Sequence, residues 1–480
     1  MPNEPKISFL TKLSYGAGAV GTGVKETAFN VFLLFFYTQV AGLPGSLAGA
    51  AIFAALMIDA VSDPLVGYWS DRFKSAWGRR HPFMYFAAIP MGICFYLLFH
   101  PPLGAGQWHL FGWMAGFAVL VRLFMTFYAV PSFAMIAEMT PDYDTRTGLA
   151  GYRILLGWLG GLTFAVTAYL VFLAATEDFG DDRLNPSGYH DFSLAGAIVI
   201  AAAILLCAAG THHLIPRLQS VSSLSGESRG LWDDLTNMFS SRPFRILFLV
   251  LLVSATATGF NEVMGLHLFT YFWGMSTESL AVLTLTAFLG TILGFVAVPA
   301  LTKRYDRKPV GVGAMTLVAL TLPGLVTLKQ LGLLPENGSA ELLGVLCFSY
   351  TVSVFAAVAM GIIFTSMIAD TVDKNELDTG RRQEAVFSSA YTFSLKATSG
   401  LGGLLAGVSL DLIRFPTAAA VGDVPQETID ALGMLVGAMI LTFWTSAALI
   451  LRAYPLSRAE HGRILSELET RRQQLETPNP

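Results

Sequence analysis

Apolar residues in this chain gather in long blocks separated by short polar connections, with neither strand-like alternation nor a single helical stripe. Blocks of about 20 apolar residues match the ~30 Å hydrocarbon core of a bilayer when they are helical. Twelve are predicted as membrane helices: 13–40, 46–70, 82–99, 108–138, 151–175, 190–210, 243–273, 278–301, 308–329, 342–371, 385–413 and 430–453. Several are longer than a perpendicular crossing needs, which tilt or extension beyond the bilayer accommodates. The longest polar connection, RLQSVSSLSGESRGLWDDLTNMFSSRPFR, falls between the sixth and seventh blocks. The expected organisation is therefore an all-α membrane protein of twelve helices in two pseudo-symmetric halves. A six-helix bundle over 1–210 and a cytoplasmic central loop over 211–242 precede a second bundle over 243–453. A charged, helix-prone tail over 454–480 is placed in solution.

Composition supports this picture. Hydrophobic residues make up 54% of the chain and charged ones 13%, against the ~25% charge of ordinary soluble proteins. A soluble domain could bury one or two such blocks, not a dozen. Cys94, Cys207 and Cys347 lie in apolar stretches and read as packing residues. The polar start is followed by an apolar block too long for a signal peptide, so that block is expected to be retained. There is no H-E-x-x-H helix, no metal-spaced His/Cys cluster and no nucleophile elbow, so an enzyme is not expected. Neither is a metal cofactor or a nucleic-acid partner.

Orientation follows from Lys and Arg in the connections. Numbered alternately, one side collects Arg72, Lys74, Arg79, Arg80, Arg146, Arg217, Lys303, Arg304, Arg307 and many others. The opposite side holds Arg183, Lys329 and Arg414, with the acidic group Glu177, Asp178, Asp181 and Asp182. Both termini are thus expected in the cytoplasm, as in a plasma or inner membrane. GYWSDRFKSAWGRRHP after the second block and PALTKRYDRKP after the eighth share an Asp-Arg step and a basic cluster. That weak repeat suits a carrier whose halves rock about a midplane site. Asp71, Arg72, Arg79 and Arg80 are its candidate gating loop.

Connections and block ends aside, a few charged residues fall within the blocks: Lys25, Glu26, Asp59, Asp63, Arg122, Arg153, Glu262 and Lys396. Each costs ~2.5–3.5 kcal/mol or more at the bilayer centre, so such groups face a cavity or a partner. Asp59 and Asp63 are four apart and share a helix face. Their mutual repulsion calls for a proton on one or a cation between them. Na⁺ and H⁺ both suit, and pairing with nearby arginines is the structural alternative. Arg122 and Thr126 lie one turn apart. Arg122, Arg153 and Lys396 either neutralise carboxylates or bind hydroxyl-rich or anionic solute groups. The neighbours Lys25 and Glu26 are expected to point about 100° apart. Glu262, after Asn261, is a candidate counterpart in the second half. Phe29, Tyr128, Phe133, Trp158, Trp273 and Tyr391 are either packing residues or solute-stacking ones.

The segments YGAGAVG, FYTQVAGL, IDAVSDPLVGYWSDR, WGRRHPF, TFYAVPSFAM, GYRILLGWLGG, MIADTVDKNE and EAVFSSAYTFSLKATSGLGG resemble the glycoside–pentoside–hexuronide:cation symporters of the major facilitator superfamily, whose best-known member is the melibiose permease. The resemblance runs from about 13 to 451. It implies the major facilitator fold and cation-coupled uptake of a sugar or glycoside by alternating access, in a monomeric unit surrounded by membrane lipid. It also implies a cation site at Asp59, Asp63, Ser62 and Thr126. For the solute it implies Arg153 and Lys396; Glu26, Phe133, Tyr391 and Thr392 are further solute-binding candidates. The helix-one and helix-four carboxylates of the family's galactoside site are here Gly23 and Ala129, and Glu26 lies one turn beyond the first. Arg122, beside the cation site, is a candidate tethered cation, with Lys25 a second ion-pair candidate. A lysolipid or amphiphile carrier of the same fold and a transporter-derived sensor are the alternatives.

Overall fold

The computed structural model describes residues 7–140, 142–174, 182–218, 239–379 and 384–476, with the side chains of 137, 143, 144, 182, 217, 384–393 and 472–476 outside that description. Thirteen long helices follow one another: α1 (Phe9–Val40), α2 (Gly45–Arg72), α3 (His81–Leu98), α4 (Gln107–Met139), α5 (Tyr143–Thr167), α6 (Pro186–Thr211), α7 (Arg242–His267), α8 (Thr277–Tyr305), α9 (Arg307–Gln330), α10 (Ala340–Thr379), α11 (Glu384–Leu412), α12 (Gln426–Arg452) and α13 (Arg458–Glu476). Among the described residues, eleven helices are long and apolar enough to cross a bilayer. The block expected over 385–413 is helical as α11, though part of it lies beyond the described side chains. No strand occurs among the described residues. The chain is a multi-pass membrane protein.

Helix ends depart from the apolar blocks where caps decide them. The fifth block was expected to begin at 151, yet α5 starts at Tyr143. The Asp142 side chain accepts a 2.8 Å hydrogen bond from the Thr145 amide and satisfies an otherwise orphaned donor. This cap also lowers the Asp142 carboxyl below its usual range. Pro186 similarly opens α6 behind an Asn185 cap, ahead of the expected 190. α10 outruns its block and carries Asp370 and Asn375 into its last turns.

Wide π-type turns mark related places in the two halves. They cover Ala28–Phe32 and Phe36–Val40 in α1, Ala168–Phe172 after α5 and Leu268–Phe272 after α7. Such turns insert a residue into the helical ladder and often accompany functional sites. Pro64 and Pro131 sit inside α2 and α4. Each lacks an amide proton, so the carbonyl four residues earlier loses its helical partner. For Pro64 that carbonyl belongs to Ala60, next to Asp59.

The residues group into two compact units. The first comprises 1–224, 259–285 and 400–432; the second comprises 225–258, 286–399 and 433–480. In the first, α1 packs closely on α5. A Cβ built on Gly23 would lie 2.0 Å from the Gly157 carbonyl oxygen, so only glycine permits this approach. Hydrogen bonds also link the end of α1 to α7, the end of α7 to the segment after α11, and the start of α2 to α11. His267 Nε2 stands 2.9 Å from Thr38 Oγ1, Tyr271 donates to the Ala419 carbonyl at 2.9 Å, and Asp411 accepts from the amides of Gly45 and Ser46 at 2.9 and 2.8 Å. His267 is fully buried.

In the second unit the tail helix α13 is docked. The Arg458 amide donates to Asp306 at 3.0 Å, its guanidinium to the Lys303 carbonyl at 2.8 Å, and Arg471 to the Leu377 carbonyl at 2.7 Å. Ile464 and Leu468 are buried beneath it. His461 Nε2 lies 3.1 Å from Asp373 and 3.5 Å from Asp370.

Candidate functional site

Near the middle of α2, Asp59 is buried and Asp63, one turn on, is half-buried. α4 brings Arg122 and Thr126 against them. Thr126 Oγ1 is 2.9 Å from Asp59 Oδ1 and 3.0 Å from Asp63 Oδ1. One hydroxyl carries one proton, so it can donate to only one carboxylate at a time. A second hydrogen bond across that gap needs a proton from a carboxyl group. Arg122 Nη1 lies 3.3 Å from Asp59 Oδ2, with the side chains only 3% and 6% exposed. Ser62 is buried beside them, its hydroxyl 3.0 Å from the Asp59 carbonyl and 3.5 Å from Thr126 Oγ1. All four residues of the expected cation site thus meet at one place, together with Arg122.

Lys25 and Glu26 form an ion pair. Their expected divergence by about 100° holds for the Cα–Cβ bonds of neighbours in a helix, but the flexible lysine stem bends its ammonium back to the glutamate. Lys25 is buried, whereas the Glu26 side chain is 45% exposed. Lys25 and Arg122 both approach the Phe29 ring, at 5.8 and 4.8 Å from its centroid, within the range of cation–π attraction. Phe29 thereby links the α1 pair to the α2–α4 set.

Arg153 lies apart from these groups. It is well inside α5, where Nη1 donates to Ser132 Oγ at 2.9 Å and approaches the Tyr15 hydroxyl at 3.4 Å. Phe133 is exposed, with its ring 5.9 Å from the guanidinium. Lys396 is half-buried on α11 and belongs to the second unit. The side chains of Tyr391 and Thr392 lie outside the described residues. Ala129 stands one turn from Thr126 on α4, and at Gly23 the closeness of α5 leaves no room for a carboxylate.

The candidate gating loop closes on a residue that sequence reasoning passed over. Glu138, at the end of α4, pairs with Arg80 at 2.8 Å and with Arg79 at 2.9 Å. Arg80 also reaches Asp71 at 2.5 Å and Ser70 at 2.8 Å. Arg72 turns away and stacks on Tyr68. The second unit holds the matching arrangement, Arg307 paired with Asp370 on α10. A lone acidic residue at the end of an apolar block was the available signal in each case. His212 and His213, just after α6, are exposed. Among the described residues no group of three His, Cys, Asp or Glu side chains is placed to hold a metal ion.

A family model described as "MFS/sugar transport protein" matches residues 14–458. An uncharacterised symporter of Synechocystis is 27% identical, with 98% of each chain covered. A putative glycoside/cation symporter of Escherichia coli is 26% identical over 96% of this chain and 95% of its own. In fold, the chain is similar to the crystal structure of the nucleoside transporter NupG, with a TM-score of 0.65, 15% identity, and 93% and 100% of the two chains covered.

Proposed function

This chain belongs to the MFS/sugar transport protein family, and from that premise we propose that it is a secondary active transporter coupling sugar or glycoside uptake to a monovalent cation. The observation that carries the proposal is the meeting of Asp59, Asp63, Ser62 and Thr126 around one hydroxyl near the middle of the α2 span. Arg122 contributes one positive charge to two carboxylates. In this reading one monovalent cation, Na⁺ or H⁺, binds at Asp63 and Thr126. Binding of that cation relieves the repulsion between the carboxylates and favours the solute-competent conformation. The family's glycoside/cation relatives support this solute class. We place both termini in the cytoplasm, because the Lys-rich and Arg-rich connections lie on that side. Arg79, Arg80 and Glu138 then form a cytoplasmic clasp of the first half. Purified carrier in proteoliposomes, given imposed Na⁺ or H⁺ gradients and a panel of labelled glycosides, tests the proposal. Accumulation driven by one gradient is expected. No gradient-driven uptake of any panel member would refute it.

A further inference from the structure

The far ends of α1 and α7 repeat one another. Tyr37, Thr38, Gln39, Val40, Ala41 and Gly42 close the first; Phe269, Thr270, Tyr271, Phe272, Trp273 and Gly274 close the second. Each run carries a π-type turn, Phe36–Val40 or Leu268–Phe272, and ends in a glycine at positive φ, 76° at Gly42 and 58° at Gly274. Beyond each glycine an amide turns back to the helix, Leu43 to the Tyr37 carbonyl at 2.8 Å and Met275 to the Phe269 carbonyl at 3.0 Å. Such a stop satisfies carbonyls that a helix end leaves orphaned. Thr38 and Thr270 are both buried.

What holds these two turns is crossed. Arg183, buried in the short turn Asp182–Leu184 between α5 and α6, reaches the α7 turn of the second half. Its Nη1 donates to Thr270 Oγ1 at 2.9 Å and to the Met275 carbonyl at 2.8 Å. The segment 413–425 between α11 and α12 reaches the α1 turn of the first half. There the Ala418 amide donates to the Thr38 carbonyl at 3.1 Å, and the Gln39 side-chain amide donates to the Pro416 carbonyl at 3.4 Å. Phe415 is buried against Tyr271, with ring centroids 4.9 Å apart. Tyr271 Oη lies 3.1 Å from Gln39 Oε1, so the two turns also meet each other. Arg414 and Ala418 adopt φ of 53° and 51°, the left-handed region that is costly for a residue with a Cβ. Strain of this kind persists where surrounding contacts impose it. All of these contacts lie within the first compact unit, which draws 259–285 and 400–432 from the second half of the sequence.

We propose that the crossed grips are a reciprocal latch at the end of the carrier opposite the Asp71–Arg80 clasp. Each half's connection between its fifth and sixth helices holds the other half's first helix, and both grips release for that end to open. This rests on the transporter reading above. In a chain that crosses the membrane back and forth, α1, α5, α7 and α11 all end on one side, and the connection after α2 lies on the other. The bonds suit a reversible closure, because each exchanges protein partners for water at modest net cost. The wide turns give both gripped helices an interrupted ladder at which to bend. Release also frees Arg414 and Ala418 from their left-handed backbone, which opposes permanent closure.

Two experiments on the full-length carrier test the latch. In proteoliposomes, Thr38→Cys and Ala418→Cys together are joined by a short, reducible bifunctional thiol reagent, with the parent and its own Cys94, Cys207 and Cys347 as the reagent control. Counterflow of a labelled glycoside that the parent carries is expected to fall to background and to return on reduction. Counterflow by the joined carrier at the parent's rate overturns the inference. The second experiment needs no solute and follows amide exchange over 414–420 in nanodiscs. Arg183→Ala removes the opposite grip and is expected to speed that exchange about tenfold, as loss of a charged hydrogen bond implies. Should Arg183→Ala not fold, Thr270→Val, which removes only the accepting hydroxyl, takes its place. Unchanged exchange over 414–420 in the variant overturns the inference. A parent that carries no glycoside of the panel removes the transporter reading and leaves the exchange experiment to decide the latch. A parent and a joined carrier that exchange solute equally well remove the latch alone.

Discussion

The second helix of each half, α2 and α8, invites comparison. Both run into a basic connection with an Asp-Arg step, Asp71-Arg72 after one and Asp306-Arg307 after the other. Both ends are clasped by an acidic residue from the fourth helix of the same half, Glu138 for the first and Asp370 for the second. The middles differ. α2 carries Asp59 and Asp63, with Arg122 and Thr126 against them, while α8 has no charged residue between Glu278 and Lys303. The repeat thus preserves the clasps and confines the paired carboxylates to one half. In the proposed carrier, each half would need such a clasp as it rocks against the other. A pair of costly buried charges kept in one body alone marks chemistry rather than scaffold.

The comparison ranks the consequences of substitution. Asp59→Asn removes the counter-ion of a buried arginine, and breaking a buried pair in this way costs about 3 kcal/mol or more. A large fall in the thermal midpoint of the purified carrier is expected. Arg122→Ala alongside Asp59→Asn should recover part of it, and no recovery would break the pairing. Glu138→Gln removes the buried carboxylate shared by Arg79 and Arg80 while Arg80 keeps Asp71 and Ser70, with a smaller cost of about 2 kcal/mol expected. Asp370→Asn should cost about 1 kcal/mol, because its partner Arg307 is one-third exposed and solvent screens the pair. A loss at Asp370 equal to that at Asp59 would contradict the contrast between clasp and core. Smallest is Arg458→Ala on the exposed end of α13, expected to shift stability by roughly 0.5 kcal/mol and to loosen the tail, read as faster amide exchange over 458–476.

Much of this was legible in the sequence. The apolar blocks located the helices because bilayer thickness sets their length, and charges in those blocks stood out by their cost. The i,i+4 spacing put Asp59 and Asp63 on one face, and the family pattern brought Ser62 and Thr126 to them. Helix starts set by caps, such as Asp142 and Asn185, were not visible to an apolar count. The Lys25–Glu26 pair was missed because helical direction says where Cβ points, not where four methylenes can carry an ammonium. Glu138 and Asp370 hid at block edges, where a charge carries little penalty and draws little notice. The tightness at Gly23 is a property of two backbones meeting, which a single segment does not display.

The central claim is that the α2 carboxylates couple solute movement to a cation. Gradient-driven uptake in proteoliposomes by the parent, Asp59→Asn and Asp63→Asn tests it most directly, with each variant's folding verified by gel filtration. The account predicts that both variants lose accumulation driven by the gradient that powers the parent. Accumulation at the parent's level in both would contradict it.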